Sequence, residues 1–241
     1  MNKSSVAIVM PVYNEEAVIK ESVTEWVDAL KALGIAFTLY AINDGSRDKT
    51  KESLDDLAKN EPHLKVLHKE NEGHGATILR GYEIACETDN EWVFQTDSDA
   101  QFYPEDFVKL WNLRDKFDLI LGFRAKRNDP FSRIIITTIL KVIIFLKFRI
   151  FIKDANCPYR LMKRGTLKTL LKAIPANVFA PNIFLSIIAA TTLGGRFGQI
   201  EVRHRERTSG KCSIRHIKLL KCAIRSLKEV ITFSPPKEVS Q

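Results

Sequence analysis

The chain has 241 residues, of which 45% are hydrophobic and 27% are charged, and its formal net charge is +8. This length and composition are ordinary for a globular protein with one domain, or with one domain and a small appendage. The positive charge favours an anionic partner, such as nucleic acid, a phosphorylated small molecule or an acidic membrane surface, with solubility alone as the alternative.

The four cysteines show no CxxC spacing and no grouping with histidine, which argues against a zinc site. We expect them to be reduced packing residues of a cytosolic chain. The N-terminus passes from Met-Asn-Lys-Ser-Ser directly into a strand-like run and does not resemble a secretory leader.

The first half of the chain alternates short apolar runs with segments of helical periodicity. The predicted strands are 6–13, 36–43, 64–68, 91–95 and 117–121. The predicted helices are 14–33, 48–59, 75–88 and one that Pro104 opens. Such alternation predicts an α/β fold with a mostly parallel sheet and right-handed crossovers.

The second half contains a very apolar stretch, 134–152, that carries Lys141, Lys147 and Arg149. Its length would suffice for a membrane span, but each cation would cost about 2.5–3.5 kcal/mol at the bilayer centre. We therefore expect a helix that lies on or partly in a membrane surface, with packing on the protein core as the alternative. A helix at 179–193, a strand at 197–202 and a basic helix at 214–231 are also predicted.

Ligands of such sheets bind beyond the carboxyl ends of the strands. This rule places residues 11–15, 43–46, 71–75 and 97–101 along one edge. Asp97 and Asp99 follow the fourth strand, and Gln101 adds a third oxygen. Oxygen ligands of this kind suit Mg²⁺ or Mn²⁺, and a bridging ion would neutralise a diphosphate leaving group.

Each acidic residue at this edge also has an ordinary structural explanation. The Asp97/Asp99 pair fits a turn or a helix cap, and Asp44, in Asn-Asp-Gly-Ser, fits an Asx-turn. Glu15 and Glu16 fit charges in the first turn of a helix. Because all of these acidic residues are predicted to lie at one edge of the sheet, a functional site there is favoured over the separate structural explanations.

Four segments, in order and at the usual spacing, resemble the family 2 glycosyltransferases. They are P-V-Y-N-E-E at 11–16, N-D-G-S at 43–46, E-N-E-G-H-G-A-T-I-L-R-G at 70–81 and T-D-S-D-A-Q at 96–101. Later segments are similar to the polyprenyl-phosphate sugar synthases, the branch that includes dolichol-phosphate mannose synthase. These are G-F-R at 122–124, D-A-N-C-P-Y-R-L-M-K-R at 154–164 and R-T-S-G-K-C-S at 207–213.

The resemblance, which covers about residues 5–215, implies a GT-A-type mostly parallel sheet flanked by helices, with C-terminal helical membrane-facing elements. It implies one domain over 1–241, in which 1–125 bind a nucleotide sugar and 126–235 serve the acceptor and face the membrane. The implied metal ligands for Mg²⁺ or Mn²⁺ are Asp97, Asp99 and Gln101.

The resemblance also implies roles for further residues. Those implied to bind the donor are Pro11, Tyr13, Glu15, Asp44, Gly75, Arg80, Asp97 and Ser98, with Asp44 at the base. Those implied to face phosphates are Arg124, Arg133, Arg207 and Lys211, since the planar arginine fork binds two oxygens at once. The implied catalytic set is Asp97, Asp99, Arg124 and Arg207.

Four positions depart from the family pattern. His74 stands where the family usually has lysine or arginine, and Asn182 stands where glutamate is often found. Cys212 and Ser213 replace the usual Ser-Lys, and Lys211 would supply the missing charge.

We expect an inverting transfer of a sugar from a nucleoside diphosphate to a polyprenyl phosphate, either dolichyl or undecaprenyl. Such an acceptor is already ionised and needs little help from a base. A glycan or glycolipid hydroxyl is the alternative acceptor.

A non-catalytic nucleotide- or nucleic-acid-binding module is the alternative of another class. We expect no nucleic-acid partner, because no recognition motif is present and the basic residues concentrate after residue 120. With no 18-residue apolar run after Ile231, we expect a cytoplasmic protein, peripheral on the cytosolic membrane face.

Overall fold

The computed structural model describes the backbone of residues 4–124, 131–206 and 216–236, and the side chains of 4–124, 134–206 and 221–236. In this part of the chain, seven strands form one sheet in the order β3-β2-β1-β4-β6-β5-β7. The strands are β1 (Ser5–Val12), β2 (Ala36–Asp44), β3 (Leu64–Lys69), β4 (Trp92–Gln95), β5 (Leu119–Arg124), β6 (Arg160–Lys163) and β7 (Phe197–Val202).

Helices flank this sheet. They are α1 (Ile19–Ala32), α2 (Thr50–Asn60), α3 (His74–Cys86), α4 (Phe107–Trp111), α5 (Phe131–Phe148), α6 (Arg164–Leu171), α7 (Pro181–Thr192) and α8 (His216–Thr232). Short 3-10 turns cover Pro104–Asp106 and Gly194–Arg196. The predicted mostly parallel sheet flanked by helices is confirmed.

One strand, β6, runs against the others and was not predicted. It pairs antiparallel with β4, where Gln95 faces Arg160, and antiparallel with β5, where Leu121 faces Arg160. Because β6 is antiparallel to both of its neighbours, β4 and β5 run in the same direction as each other. The strands β4, β5 and β7 therefore end at the same edge of the sheet as β1, β2 and β3. The four residues of β6, Arg-Leu-Met-Lys, are too few to show a periodicity.

The core lies on both faces of the central strands. Every residue from Val6 to Val12 is buried, as a parallel strand covered on both faces requires. From α1, Trp26 packs its ring against Phe94, Phe107 and Tyr159, with centroid distances of 5.2, 6.4 and 5.9 Å. This aromatic cluster fixes α1 over the strand that leads to the predicted metal ligands.

The apolar helix α5 both packs on the core and exposes apolar surface. Leu140 and Ile144 are buried on its inner face. Its exposed large side chains are Ile134, Ile135, Ile139, Val142, Phe145 and Leu146. The ammonium of Lys147 donates to the carbonyls of Val230 and Ile231 at the end of α8. Within the described ranges, no helix combines the length and apolarity needed to cross a membrane.

Two of the cysteines are buried packing residues, as predicted. Cys86 and Cys157 are unpaired, and burial raises their pKa to about 11 and about 12. Their thiols are therefore protonated at neutral pH and unreactive.

Close packing of α3 on β1 predicts a large effect at Gly81. A Cβ added there would lie 2.3 Å from Cγ1 of Val9, so Gly81→Ala is expected to destabilise the fold by about 1–3 kcal/mol through overpacking. Gly165→Ala is the control, because a Cβ at Gly165 in α6 meets no atom within 4 Å. Urea unfolding checks both variants, and equal stabilities would contradict the packing described here.

Candidate active site at the carboxyl edge of the sheet

The structure brings the four predicted edge segments together. The backbone N–H of Asn14 donates to Oγ of Ser46 at 2.9 Å, which joins the first segment to the second. Asp44 contacts Asn71, and Nε2 of His74 lies 3.9 Å from Oδ1 of Asp97. Residues 11–15, 43–46, 71–75 and 97–101 therefore form one continuous surface.

Asp44 ties the end of β2 to the loop before α3. Its Oδ1 accepts hydrogen bonds from Nζ of Lys69 (2.6 Å) and from N–H of Glu72 (3.0 Å). Its Oδ2 accepts from N–H of Gly73 (2.9 Å) and from Nδ2 of Asn71 (3.2 Å). Burial alone would raise the pKa of Asp44, but the hydrogen bonds from Lys69 and Glu72 hold it below its usual value.

These four hydrogen bonds use the acceptor capacity of the Asp44 carboxylate. In this conformation the side chain organises the 69–73 loop, and it would have to exchange a protein donor to contact a nucleobase. The implied contact between Asp44 and the nucleobase of the donor stays a prediction.

The other residues implied to border the nucleoside lie on or just beyond β1. Pro11 is buried within β1. Proline has no N–H to donate, but the β1–β4 ladder already ends at the Val9–Gln95 pair, so that ladder loses no hydrogen bond at Pro11. Tyr13 and Glu15 are half-buried at the strand exit, and N–H of Glu15 donates to Oγ1 of Thr50 at 2.8 Å.

The residues that follow β4, 97–101, form the turn that we call the metal loop. Asp97 has one buried oxygen, Oδ1, that accepts no hydrogen bond from any residue in the described part of the chain. Ser98 is buried, and N–H of Gln101 donates to Oδ1 of Asp99 at 3.2 Å. A buried carboxylate oxygen without a hydrogen bond is unfavourable unless a cation satisfies it, so this atom fits the predicted metal site.

The metal loop offers an incomplete ligand set by itself. Within residues 4–124, 134–206 and 221–236, no three His, Cys, Asp or Glu side chains form a group that could hold an ion. The predicted set adds the amide of Gln101, whose Nε2 donates to the carbonyl of Arg205 at 3.1 Å. The remaining ligands would be substrate and water oxygens, as is common for Mg²⁺.

Residues 203–206, here called the return segment, follow β7 and pair with the metal loop and the 3-10 turn after it. N–H of Arg205 donates to the carbonyl of Gln101 at 2.9 Å, and His204 forms an antiparallel bridge with Phe102. Arg203 donates its backbone N–H and its Nε to Asp106, at 2.7 and 3.0 Å. None of these residues was predicted to belong to the site, although the basic run Arg-His-Arg directly after a strand could have indicated an anionic neighbour.

Arg124 ends β5 at the same edge. Its Nε donates to Oδ2 of Asp154 at 2.8 Å, and both side chains are largely buried. They border a cavity of about 60 Å³. Its lining is Arg124, Thr137, Leu140, Lys141, Ile144, Asp154, Ala155 and Asn156. Asp154 belongs to the motif at 154–164, but its pairing with Arg124 was not predicted.

Two predicted donor residues have other contacts. A Cβ at Gly75 would lie 2.6 Å from the carbonyl oxygen of Phe179, so this glycine permits close packing of α3 against the start of α7. Arg80 is exposed and pairs with Glu83 at 3.2 Å, about 9 Å along the axis of α3 from His74. Neither contact supports the implied donor role.

Asn182 lies in a buried polar network. Its Oδ1 accepts a hydrogen bond from the hydroxyl of Tyr82 at 3.0 Å, and its carbonyl accepts from Nη1 of Arg160 at 3.1 Å. The residue is 2% exposed, so it does not stand at the edge as a base would. The side chain of Arg133, and Arg207 and Lys211 entirely, lie outside the described residues.

The model of the family described as Glycosyl transferase family 2 matches residues 7–171. The chain belongs to this family, and the resemblance read from its motifs is confirmed. The fold and the edge site therefore define a member of a glycosyltransferase family.

Individual curated relatives are similar in sequence to most of this chain. The undecaprenyl-phosphate 4-deoxy-4-formamido-L-arabinose transferase of Pseudomonas aeruginosa strain LESB58 is 28% identical over 218 residues, which are 89% of this chain and 62% of that protein. The transferase of the same name from Proteus mirabilis is 26% identical over 220 residues, 90% of this chain and 65% of that protein. The chain thus spans less than two thirds of the length of these relatives.

Among solved structures, glucosyl-3-phosphoglycerate synthase from Mycobacterium tuberculosis, in complex with Mn²⁺, UDP-glucose and phosphoglyceric acid, superposes with a TM-score of 0.68. It is 17% identical in sequence, and the match covers 96% of this chain and 79% of that one. This likeness shows that the two proteins share a fold.

The lowered pKa of Asp44 predicts a pH-dependent contribution to stability. Because the folded-state pKa lies below the unfolded value, the contribution is present above the unfolded pKa and is lost as pH falls through the folded pKa. Asp44→Asn is expected to cost about 2–3 kcal/mol at neutral pH, because it replaces an ionised acceptor of four hydrogen bonds.

Urea unfolding across pH tests this prediction. The gap between wild type and Asp44→Asn should be constant above about pH 5 and should narrow below about pH 4. The exposed Asp56 provides the control, because Asp56→Asn is expected to change stability little. A difference in unfolding free energy that stays constant at acidic pH would show that ionisation of Asp44 does not contribute to stability.

Proposed function

We propose that the chain is an inverting glycosyltransferase that moves a sugar from a nucleoside diphosphate to a polyprenyl phosphate. Membership of glycosyl transferase family 2 supports sugar transfer. The relatives named for undecaprenyl phosphate support the acceptor class.

The observation that carries this proposal is the contact between an apolar helix and a cavity lined by two cations and the carboxylate of Asp154. Arg124 and Lys141 both line the cavity at the sheet edge. Lys141 belongs to α5, whose outer surface exposes six large apolar side chains between Ile134 and Leu146. A polyprenyl phosphate has the matching chemistry, because its anionic head suits the cations and its hydrocarbon chain suits the exposed surface.

The proposed donor subsite lies across the edge at the metal loop. Asp97, Asp99 and Gln101 would hold Mg²⁺ or Mn²⁺, and the buried Oδ1 of Asp97, which accepts no hydrogen bond from the described residues, fits that role. When bound, the ion would neutralise charge on the departing diphosphate. Residues 1–125 then form the donor half of one domain and residues 126–235 form the acceptor half. The related synthase with Mn²⁺ and UDP-glucose supports this assignment.

The chemistry asks little of a general base. An oxygen of the acceptor phosphate attacks the anomeric carbon, the bond from that carbon to the diphosphate breaks, and configuration inverts. Because the phosphate is already ionised, the protein must mainly orient the two substrates and exclude water. The buried amide of Asn182, where the family resemblance implies that glutamate is common, is consistent with this requirement.

The exposed face of α5 also supports work at a membrane surface. Phe151, just after this helix, is 66% exposed, and Ile224 and Ile231 of α8 are exposed as well. We propose that these side chains enter the lipid interface and bring the edge site to a membrane-bound acceptor.

A pair of acceptors that differ only in the phosphate tests the proposed function. Purified chain 1–241 with Mn²⁺ and a panel of UDP- and GDP-sugars should glycosylate undecaprenyl phosphate and not undecaprenol. Radiolabel transfer into the lipid phase measures both reactions. Preferred transfer to the alcohol or to a glycan hydroxyl would overturn the acceptor assignment, and transfer to none of these acceptors would overturn the activity.

Removal of one proposed ligand should abolish turnover without unfolding the protein. Asp99→Ala is expected to reduce kcat by at least about 100-fold, because charge stabilisation of the leaving diphosphate is lost. The exposed Asp115 gives a matched control, and Asp115→Ala should retain normal kcat. A normal rate for folded Asp99→Ala protein would refute the proposed metal site.

A further inference from the structure

We propose that Arg205 is a positioning residue that holds the metal loop in its ligand-presenting shape. This inference rests on the proposed function, because it assumes that the loop binds a divalent ion. Arg205 belongs to the return segment and lies outside the residues implied by the family resemblance.

The metal loop contains one backbone conformation that needs support. Ala100, between Asp99 and Gln101, has a φ of +57°, in the left-handed region. A residue with a Cβ reaches this region at a cost in free energy, and it stays there only when its surroundings hold it. The direction of the two flanking side chains depends on this turn.

Arg205 supplies that hold through one side-chain contact, which Arg205→Ala would remove, and two backbone contacts, which it would leave. Its Nε donates to the carbonyl of Ala100, and its backbone N–H donates to the carbonyl of Gln101 at 2.9 Å. Its own carbonyl accepts a hydrogen bond from Nε2 of Gln101 at 3.1 Å. One residue therefore fixes two consecutive carbonyls of the loop and the side chain of a proposed ligand.

The guanidinium is itself anchored to the core. Its Nη2 donates to Oε2 of Glu25 on α1, and it lies 5.1 Å from the ring centroid of Tyr103. The neighbour of Glu25 is Trp26, which is 2% exposed in the aromatic cluster. The loop is thus connected through one side chain to α1, next to the residue that packs this helix into the aromatic cluster.

Arg203 offers a matched control on the same segment. It also stacks on Tyr103, at 4.5 Å, and it pairs with Glu105 and Asp106. Its contacts reach the 3-10 turn after the metal loop rather than Ala100 or Gln101. Loss of Arg203 should therefore affect folding without an effect on ion binding.

The test measures Mn²⁺ binding by the electron paramagnetic resonance signal of the free ion, with UDP or GDP present, whichever wild type binds more tightly. Arg205→Ala is expected to weaken Mn²⁺ affinity by about 10- to 100-fold, the range seen for second-layer partners of metal ligands. Arg203→Ala should bind Mn²⁺ like wild type. Arg205→Lys, which keeps one donor but not the fork, should fall between wild type and Arg205→Ala.

Glycine at position 100 tests whether Arg205 acts through the turn. Glycine adopts the left-handed region without steric cost, so Ala100→Gly in the Arg205→Ala background should recover most of the lost affinity. Wild-type affinity in folded Arg205→Ala protein, an equal loss in Arg203→Ala, or no recovery in the double variant would each overturn the inference. If Arg205→Ala does not fold, Arg205→Lys and its double variant with Ala100→Gly decide the question.

The wild-type titration separates this inference from the proposed function. Wild-type protein that binds no Mn²⁺ with either nucleotide would overturn the proposed metal site, and the role of Arg205 would fall with it. Wild-type binding that is unchanged in Arg205→Ala would remove the role of Arg205 and leave the proposed function standing.

Discussion

The buried guanidinium of Arg160, on the strand that joins the two parts of the sheet, fixes the loop before β6 and the start of α7. This side chain is fully buried, and it donates to the carbonyls of Ala155, Cys157 and Asn182 at 2.6–3.3 Å. A buried charge is costly unless hydrogen bonds replace its hydration. The loop before β6 and the start of α7 must therefore stay where they satisfy Arg160.

The antiparallel strand that carries Arg160 has a direct consequence for function. Because β6 lies between β4 and β5, the metal loop after β4 and Arg124 at the end of β5 lie at the same edge of the sheet but on opposite sides of β6. The proposed donor subsite and the proposed acceptor cavity are thus separated by one strand. Asp154, which pairs with Arg124, lies in the same loop that Arg160 fixes.

Most of the fold could be predicted because its signals are local. The strands β1 to β5 are apolar runs that end in polar turns, and the rule for parallel sheets then places Asp44, Asp97 and Asp99 at one edge. The predicted start of the first helix, at residue 14, was too early. Residues 14–16 instead interlock with 46–50 through hydrogen bonds such as that from N–H of Asn14 to Ser46.

The features that the sequence did not predict depend on contacts between distant segments. Arg205 and Glu25 are 180 positions apart, and no local pattern reports that they meet. The hydrogen bonds from the 69–73 loop to the carboxylate of Asp44 are likewise tertiary contacts, and so are those from Lys147 to the last carbonyls of α8. The departures at His74 and Asn182 were visible as residues, but only the structure shows that one touches Asp97 and the other is buried.

The central claim is that an ion bound by Asp97 and Asp99 holds the diphosphate of a sugar donor. Anomalous diffraction at the manganese edge, from crystals soaked with Mn²⁺ and a nucleoside diphosphate, tests it most directly. We expect one anomalous peak within bonding distance of both carboxylates and of phosphate oxygens. A peak elsewhere, or nucleotide bound away from this edge, would contradict it.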